Sequence, residues 1–140
     1  MNRLRSAFFG LGLLLVASAV QAQSNGVKAD IPFDFVVGNQ KLPAGEYTVS
    51  NQGSVNQAIL IRSDDGKTAM LSLTQSCSSF NPSAKTKLVF HTMGGRYFLY
   101  QIWTQGNYSG QQLPKSKAEV ELAKNTDTTG EFVLAARLTR

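Results

Sequence analysis

Histidine and cysteine each occur once in this 140-residue chain, as His91 and Cys77, and that scarcity bounds the chemistry open to it. Nucleophilic catalysis by triad logic needs a base oriented by a third group, and His91 has neither an acid nor a serine in its own apolar run. It reads as a structural imidazole among aromatics. Zinc sites draw on several His or Cys ligands, so this chain predicts no protein-built metal site. Cys77 lies in the polar stretch Gln75-Ser76-Cys77-Ser78-Ser79, without a basic neighbour that would lower its pKa. It reads as a half-buried loop thiol, the alternative being an intermolecular bridge.

Carboxylates number nine: Asp30, Asp34, Glu46, Asp64, Asp65, Glu119, Glu121, Asp127 and Glu131. Asp30 and Asp34 would project from one strand face, four residues and so ~13 Å apart at ~3.3 Å per residue, beyond the ~5–10 Å that paired glycosidase acids use. Asp64 and Asp65 stand side by side rather than alternating, which a calcium loop does not accept. The glycines are scattered through turns, with no phosphate loop and no dinucleotide fingerprint, so no cofactor is expected. What remains for binding is a concentration of aromatics. Tyr97, Phe98, Tyr100, Trp103 and Tyr108 crowd one strand and the loop after it. Tyr97, Tyr100, Trp103 and Tyr108 are the candidate ligand contacts, through stacking on sugars or lining of an apolar cavity. Tyr97 and Trp103 share the Leu99 face and read as core, whereas Tyr108, in the loop Asn107-Tyr108-Ser109, reads as exposed. That loop is also a glycosylation triplet, relevant in a eukaryotic secretory route alone.

These side chains must be positioned outside the cell. Met1–Ala22 divides into a basic start, an apolar run from Ala7 to Val20 and a small-residue exit, Val20-Gln21-Ala22. At ~1.5 Å per residue the run gives ~21 Å of helix, short of a ~30 Å hydrocarbon core, and so reads as a cleavable signal rather than an anchor. Residues 23–140 then form one exported domain, periplasmic or extracellular, with no later membrane span. Arg3 and Arg5 leave with the signal, lowering the net charge from +5 to +3. The remaining basic residues are spread along the chain, which argues against nucleic acid as a partner. An exported domain with one cysteine has no internal disulfide, so its core must hold it.

Period-two alternation separated by turn residues predicts an all-β domain, an antiparallel sandwich or small barrel of about seven or eight strands with one short surface helix near the C-terminus. Ile31, Phe33, Phe35 and Val37 fall on one face of a first strand in which Pro32 marks an edge or a start. Leu42-Pro43-Ala44-Gly45 makes a turn before Glu46–Ser50, with Tyr47 and Val49 inward. Ser63-Asp64-Asp65-Gly66 reads as a type I turn with Gly66 left-handed. Ser63 would then oppose Lys67, Ile61 oppose Ala69 and Ile59 oppose Leu71, giving one apolar hairpin face. Gln75–Lys85 reads as a Ser-rich loop suited to recognition.

Met93-Gly94-Gly95 joins two strands in which Thr92 opposes Tyr97, Phe90 opposes Leu99, His91 faces Phe98, Val89 faces Tyr100 and Leu88 faces Gln101. The second of these strands, Arg96–Thr104, is largely apolar on both faces and should be covered twice. Its second cover is the helix after Leu113-Pro114, which runs to about Lys124. Ser116-Lys117-Ala118-Glu119 matches a capping box, and Ala118 with Leu122 gives the helix a narrow apolar stripe. Phe132, Leu134, Ala136 and Leu138 alternate in a last strand.

Asp30-Ile31-Pro32-Phe33-Asp34-Phe35, Val37-Gly38, Leu42-Pro43-Ala44-Gly45-Glu46-Tyr47, Tyr97-Phe98-Leu99 and Ile102-Trp103, with Leu113-Pro114-Lys115-Ser116, resemble a group of small exported proteins common in soil bacteria such as acidobacteria. The resemblance implies a bacterial Sec-type route and assigns no residue a role. The expected function is therefore a non-catalytic exported domain that binds an envelope component, a glycan or an apolar small molecule. Its rivals are a carboxylate-dependent hydrolase of a cell-wall or extracellular polymer, and an assembly protein whose copies pair through edge strands or Cys77.

Overall fold

The computed structural model describes residues 26–52 and 57–139. The expected export signal lies outside the described residues. The described chain forms a β-sandwich, not a closed barrel, with twelve strands in two sheets and a single short helix. One sheet has the order β12-β1-β4-β5-β6, built from Arg137–Thr139, Gly26–Ile31, Gly45–Gln52, Ala58–Ser63 and Ala69–Leu73. The other runs β11-β8-β9-β10-β7, from Gly130–Ala135, Lys87–Met93, Arg96–Trp103, Ser109–Gln112 and Gln75–Ser78. In this second sheet β2 (Phe35–Val37) pairs with β3 (Gln40–Leu42) and, in parallel, with the first half of β9. Among the described residues no helix is long and apolar enough to cross a membrane.

Twelve strands replace the expected seven or eight because three of the long segments change sheets partway and the short strands β3 and β10 form within stretches that read as turns or loops. The first strand breaks at Pro32-Phe33-Asp34, leaving β1 in one sheet and β2 in the other. Proline supplies no N–H to either ladder, so the break falls where the lost bond costs least. Thr74 separates β6 from β7 in the same way, so the expected Ser-rich loop begins only after Ser78. Ala136 separates β11 from β12. These corners let a continuous alternating pattern feed both layers, since side chains that face inward from one sheet still face inward after the crossing.

The inner faces meet over Tyr47, Phe35 and Phe90, all fully buried. Phe35 packs edge-on against Tyr47 at 5.1 Å and against Phe90 at 5.8 Å. Such pairs add about 0.5–1.5 kcal/mol each beyond the area they bury. Tyr47 O–H donates to Pro43 O at 2.7 Å, and Ala44 N–H donates to Asp34 Oδ1 at 3.0 Å. The Asp30–Phe35 and Leu42–Tyr47 segments thus form one corner of the sandwich, in which each polar group is used to hold a turn against the core.

Helix α1 (Lys117–Asn125) begins at Ser116, whose Oγ accepts from Glu119 N–H at 3.1 Å. Ala118 and Leu122 pack on Val36, Met93 and Phe98, which form a second buried cluster on the outer side of the β8–β9 sheet. Strand β9 is therefore covered on both faces over its first half.

Two registers differ from the sequence reading. In the β5–β6 hairpin Ser63 pairs with Thr68 rather than Lys67, because Ser63 N–H donates to Thr68 O and Thr68 N–H donates to Ser63 Oγ, both at 2.9 Å. Asp65 Oδ1 accepts from Lys67 N–H at 2.9 Å and from the Ser63 hydroxyl at 2.6 Å. Side chains have drawn one more residue into the loop. The slip puts Ile61 opposite Met70 and Ile59 opposite Ser72, and it turns Leu71 and Leu73 outward. The expected turn itself is present, with Gly66 at φ +73°.

Candidate functional site: a cleft over Trp103

The second register change builds the site. Strands β8 and β9 pair as expected from Met93–Arg96 to Phe90–Leu99, and then the ladder shifts, so that Val89 pairs with Gln101 and Leu88 with Ile102. Tyr100 is the extra residue of a β-bulge. Leu99 and Ile102 both belong to the inner core, so parity inverts across the bulge and Trp103 leaves the Leu99 face for the outer one. The sequence reading placed it with the core; a bulge is invisible to strict alternation.

On the outer face Trp103 is 8% exposed and its Nε1–H donates to Gln101 Oε1 at 3.0 Å. Gln101 Nε2–H in turn donates to Gln112 Oε1 at 3.1 Å, which orients the amide. The indole packs against Gly110 on β10. A methyl group there would stand 2.8 Å from Trp103 Cδ2 and 2.7 Å from Ile102 O, so glycine is what admits the ring.

Trp103 lines a cleft of about 280 Å³ with Val89, Val133, Gln101, Lys87 and Glu131, walled by the segment from Ser79 to Ala84. That wall is tied down by backbone bonds to the loop after β9: Ser79 N–H to Tyr108 O at 2.8 Å, Ser83 N–H to Asn107 O at 2.9 Å, and Gly106 N–H to Ser83 O at 2.9 Å. These bonds satisfy main-chain groups of the segment and fix it against that loop. Asn81, Pro82 and Ser83 line the cleft from this wall.

The four candidate aromatics are not one shelf. Tyr97 points inward and stacks on Phe33 with ring centroids 3.7 Å apart. Tyr100 is half-buried on the outer face and stacks on His91, also at 3.7 Å. Tyr108 is 59% exposed in the loop whose carbonyl anchors the cleft wall. Of the four, Trp103 lines the cleft directly.

Sequence reasoning missed the partner of His91. Its Nδ1 lies 2.7 Å from Glu119 Oε1, and Glu119 is 4% exposed, so the carboxylate expected to close the capping box turns to the sheet instead. The capping-box spacing named the right residue for another contact.

The carboxylates are dispersed with one exception. Lys28 Nζ lies 3.3 Å from Glu46 Oε1 and 2.6 Å from Asp64 Oδ2, and Arg137 Nη2 lies 2.7 Å from the same Glu46 oxygen. The Lys28 hydrogen bond holds the Asp64 carboxyl below its ordinary range, and the Asp64 and Glu46 bonds hold Lys28 above its own. Lys28 bridges the two carboxylates and Arg137 meets Glu46, so the four groups form an ion-pair network. Burial pushes the Cys77 thiol up, which disfavours the reactive thiolate. Among the described residues no three or more His, Cys, Asp or Glu side chains converge as metal ligands would.

Compared with family models, curated proteins and solved structures, the chain matches none.

Proposed function

We propose that the protein is a non-catalytic, exported glycan-binding domain whose site is the cleft over Trp103. The observation that carries this reading is the bulge at Tyr100, which turns the chain's one tryptophan into an outward cleft rimmed by Gln101, Asn81 and Ser83. A pyranose ring has apolar C–H faces and a polar equator, and an indole flanked by amides and hydroxyls complements both. The volume lies near the lower end of ligand clefts, about 300–1,000 Å³, and suits one ring of a chain whose remainder stays in solvent. A wholly apolar ligand would bury the Lys87 and Glu131 charges without compensation, which disfavours that alternative.

Hydrolysis fits less well. Glu131 is the one carboxylate lining this cleft, whereas glycoside hydrolysis uses a pair. The convergent pair elsewhere, Glu46 and Asp64, is neutralised by Lys28 and Arg137, and Asp64 is shifted away from the raised pKa a general acid needs. An envelope location rests on the segment Met1–Ala22 and its expected removal.

Because tryptophan occurs once, emission of the native protein reports on Trp103 alone. Titration with chitotetraose and maltotetraose should give a saturable change in that emission for at least one of them, and Gln101→Ala should weaken it about tenfold, as loss of one well-placed hydrogen bond predicts. Emission unchanged at millimolar concentrations of both sugars would remove the reading. Shortening of the oligosaccharides during the titration would replace it with the hydrolase.

A further inference from the structure

Among the described residues strand β6 ends its sheet, and none of them pairs with its outer edge. Ser63 N–H donates to Thr68 O at one end of the β5–β6 ladder, and Thr74 N–H donates to Gln57 O at the other. In antiparallel pairing the bonds fall on alternate residues, so Thr68, Met70, Ser72 and Thr74 face β5 while the main-chain groups of Ala69, Leu71 and Leu73 point away from the sheet. The Ser72 hydroxyl engages Leu73 O at 3.2 Å. Proteins guard such edges with charge, proline or a bulge. Among the other sheet ends β12 carries Arg137, β11 carries Glu131 and β3 carries Lys41, while β7, also uncharged, exposes no large apolar side chain. Strand β6 carries none, and no charged residue occurs between Lys67 and Lys85.

Its side chains point to the occupant. Leu71 is 61% exposed and Leu73 72%, beside the half-buried Leu60 on the outer face. When two copies of Ala69–Leu73 are set antiparallel with Leu71 opposite Leu71, Ala69 falls opposite Leu73 and every outward main-chain group meets its complement. The apolar strip then continues from one copy to the next, and an uncharged edge meets itself without repulsion.

We propose that β6 pairs with β6 of a second copy about a two-fold axis at Leu71, joining two five-stranded sheets into one of ten strands. The test uses the full-length chain expressed in a bacterium and purified in whatever processed form accumulates. Sedimentation velocity should show a concentration-dependent dimer, weakened at least tenfold by Leu71→Lys and less than twofold by Leu60→Lys, which lies on the same face but off the edge.

Cysteine trapping fixes the register independently of charge variants. With Cys77→Ser as background, Leu71→Cys should crosslink under oxidation, since directly paired Cα atoms lie ~5.5 Å apart, within disulfide reach. Leu73→Cys should crosslink at least tenfold less, its two copies lying ~13 Å apart along the strands at ~3.3 Å per residue. A monomer at every concentration, an undiminished Leu71→Lys dimer with native tryptophan emission, or equal crosslinking at the two positions would each overturn the proposal.

Discussion

His91 Nδ1 and Glu119 Oε1 lie 2.7 Å apart, joining helix α1 to strand β8 across 28 positions of sequence. A carboxylate this buried is costly unless it is bonded, and here Glu119 both meets the imidazole and donates its own N–H to Ser116. Glu119→Ala should cost about 1–3 kcal/mol, as for a buried bond broken on one side, and Glu119→Gln should cost less because an amide oxygen still accepts. Urea denaturation measures both. Hydrogen exchange of the helix amides should rise more than that of β8 if the pair is the clamp.

Gly110→Ala tests how Trp103 is seated. The added methyl meets Ile102 O and the indole together, so overpacking should cost about 1–3 kcal/mol and shift the tryptophan emission. Loss of stability with unchanged emission would mean the ring is not against that glycine.

The Lys28–Asp64–Glu46–Arg137 network sets an acid limb. Asp64 has its folded pKa lowered chiefly by the Lys28 bond, so its contribution is present above the ordinary carboxylate value near 3.8 and is lost as pH falls through the lowered one. Asp64→Asn should flatten the stability profile of the native protein below about pH 4 while leaving its shape near pH 7 unchanged. Thermal midpoints at half-unit pH intervals would show it.

Gly66 isolates a backbone effect. A side chain there meets nothing within 4 Å, yet φ is +73°, so Gly66→Ala should cost about 1–2 kcal/mol and Gly66→Asn less. Equal losses for the two would point to some cause other than left-handed strain.

Alternation, turn chemistry and the capping serine made most of the fold legible: Tyr47, Ile59, Ile61 and Phe90 are inside, Gly66 is left-handed and Ser116 starts the helix. What period two does not encode is where a strand gains a residue. The bulge at Tyr100 decided that Trp103 faces out, and the four-residue loop at Asp64–Lys67 decided that Leu71 and Leu73 do. Both depend on contacts distant in sequence or on side chains bonding to main chain, which a register counted from a turn omits. The candidate aromatics were legible as a composition; their division between two faces was not.

Nuclear magnetic resonance of the native protein tests, at the atoms concerned, whether the outward cleft over Trp103 takes a sugar ring. Titration with chitotetraose or maltotetraose should move the single indole N–H resonance together with the Gln101 side-chain amide and the Val89 and Val133 methyls, along one saturable curve. Resonances that stay fixed, or shifts confined to the exposed Phe80 and Tyr108, would contradict it.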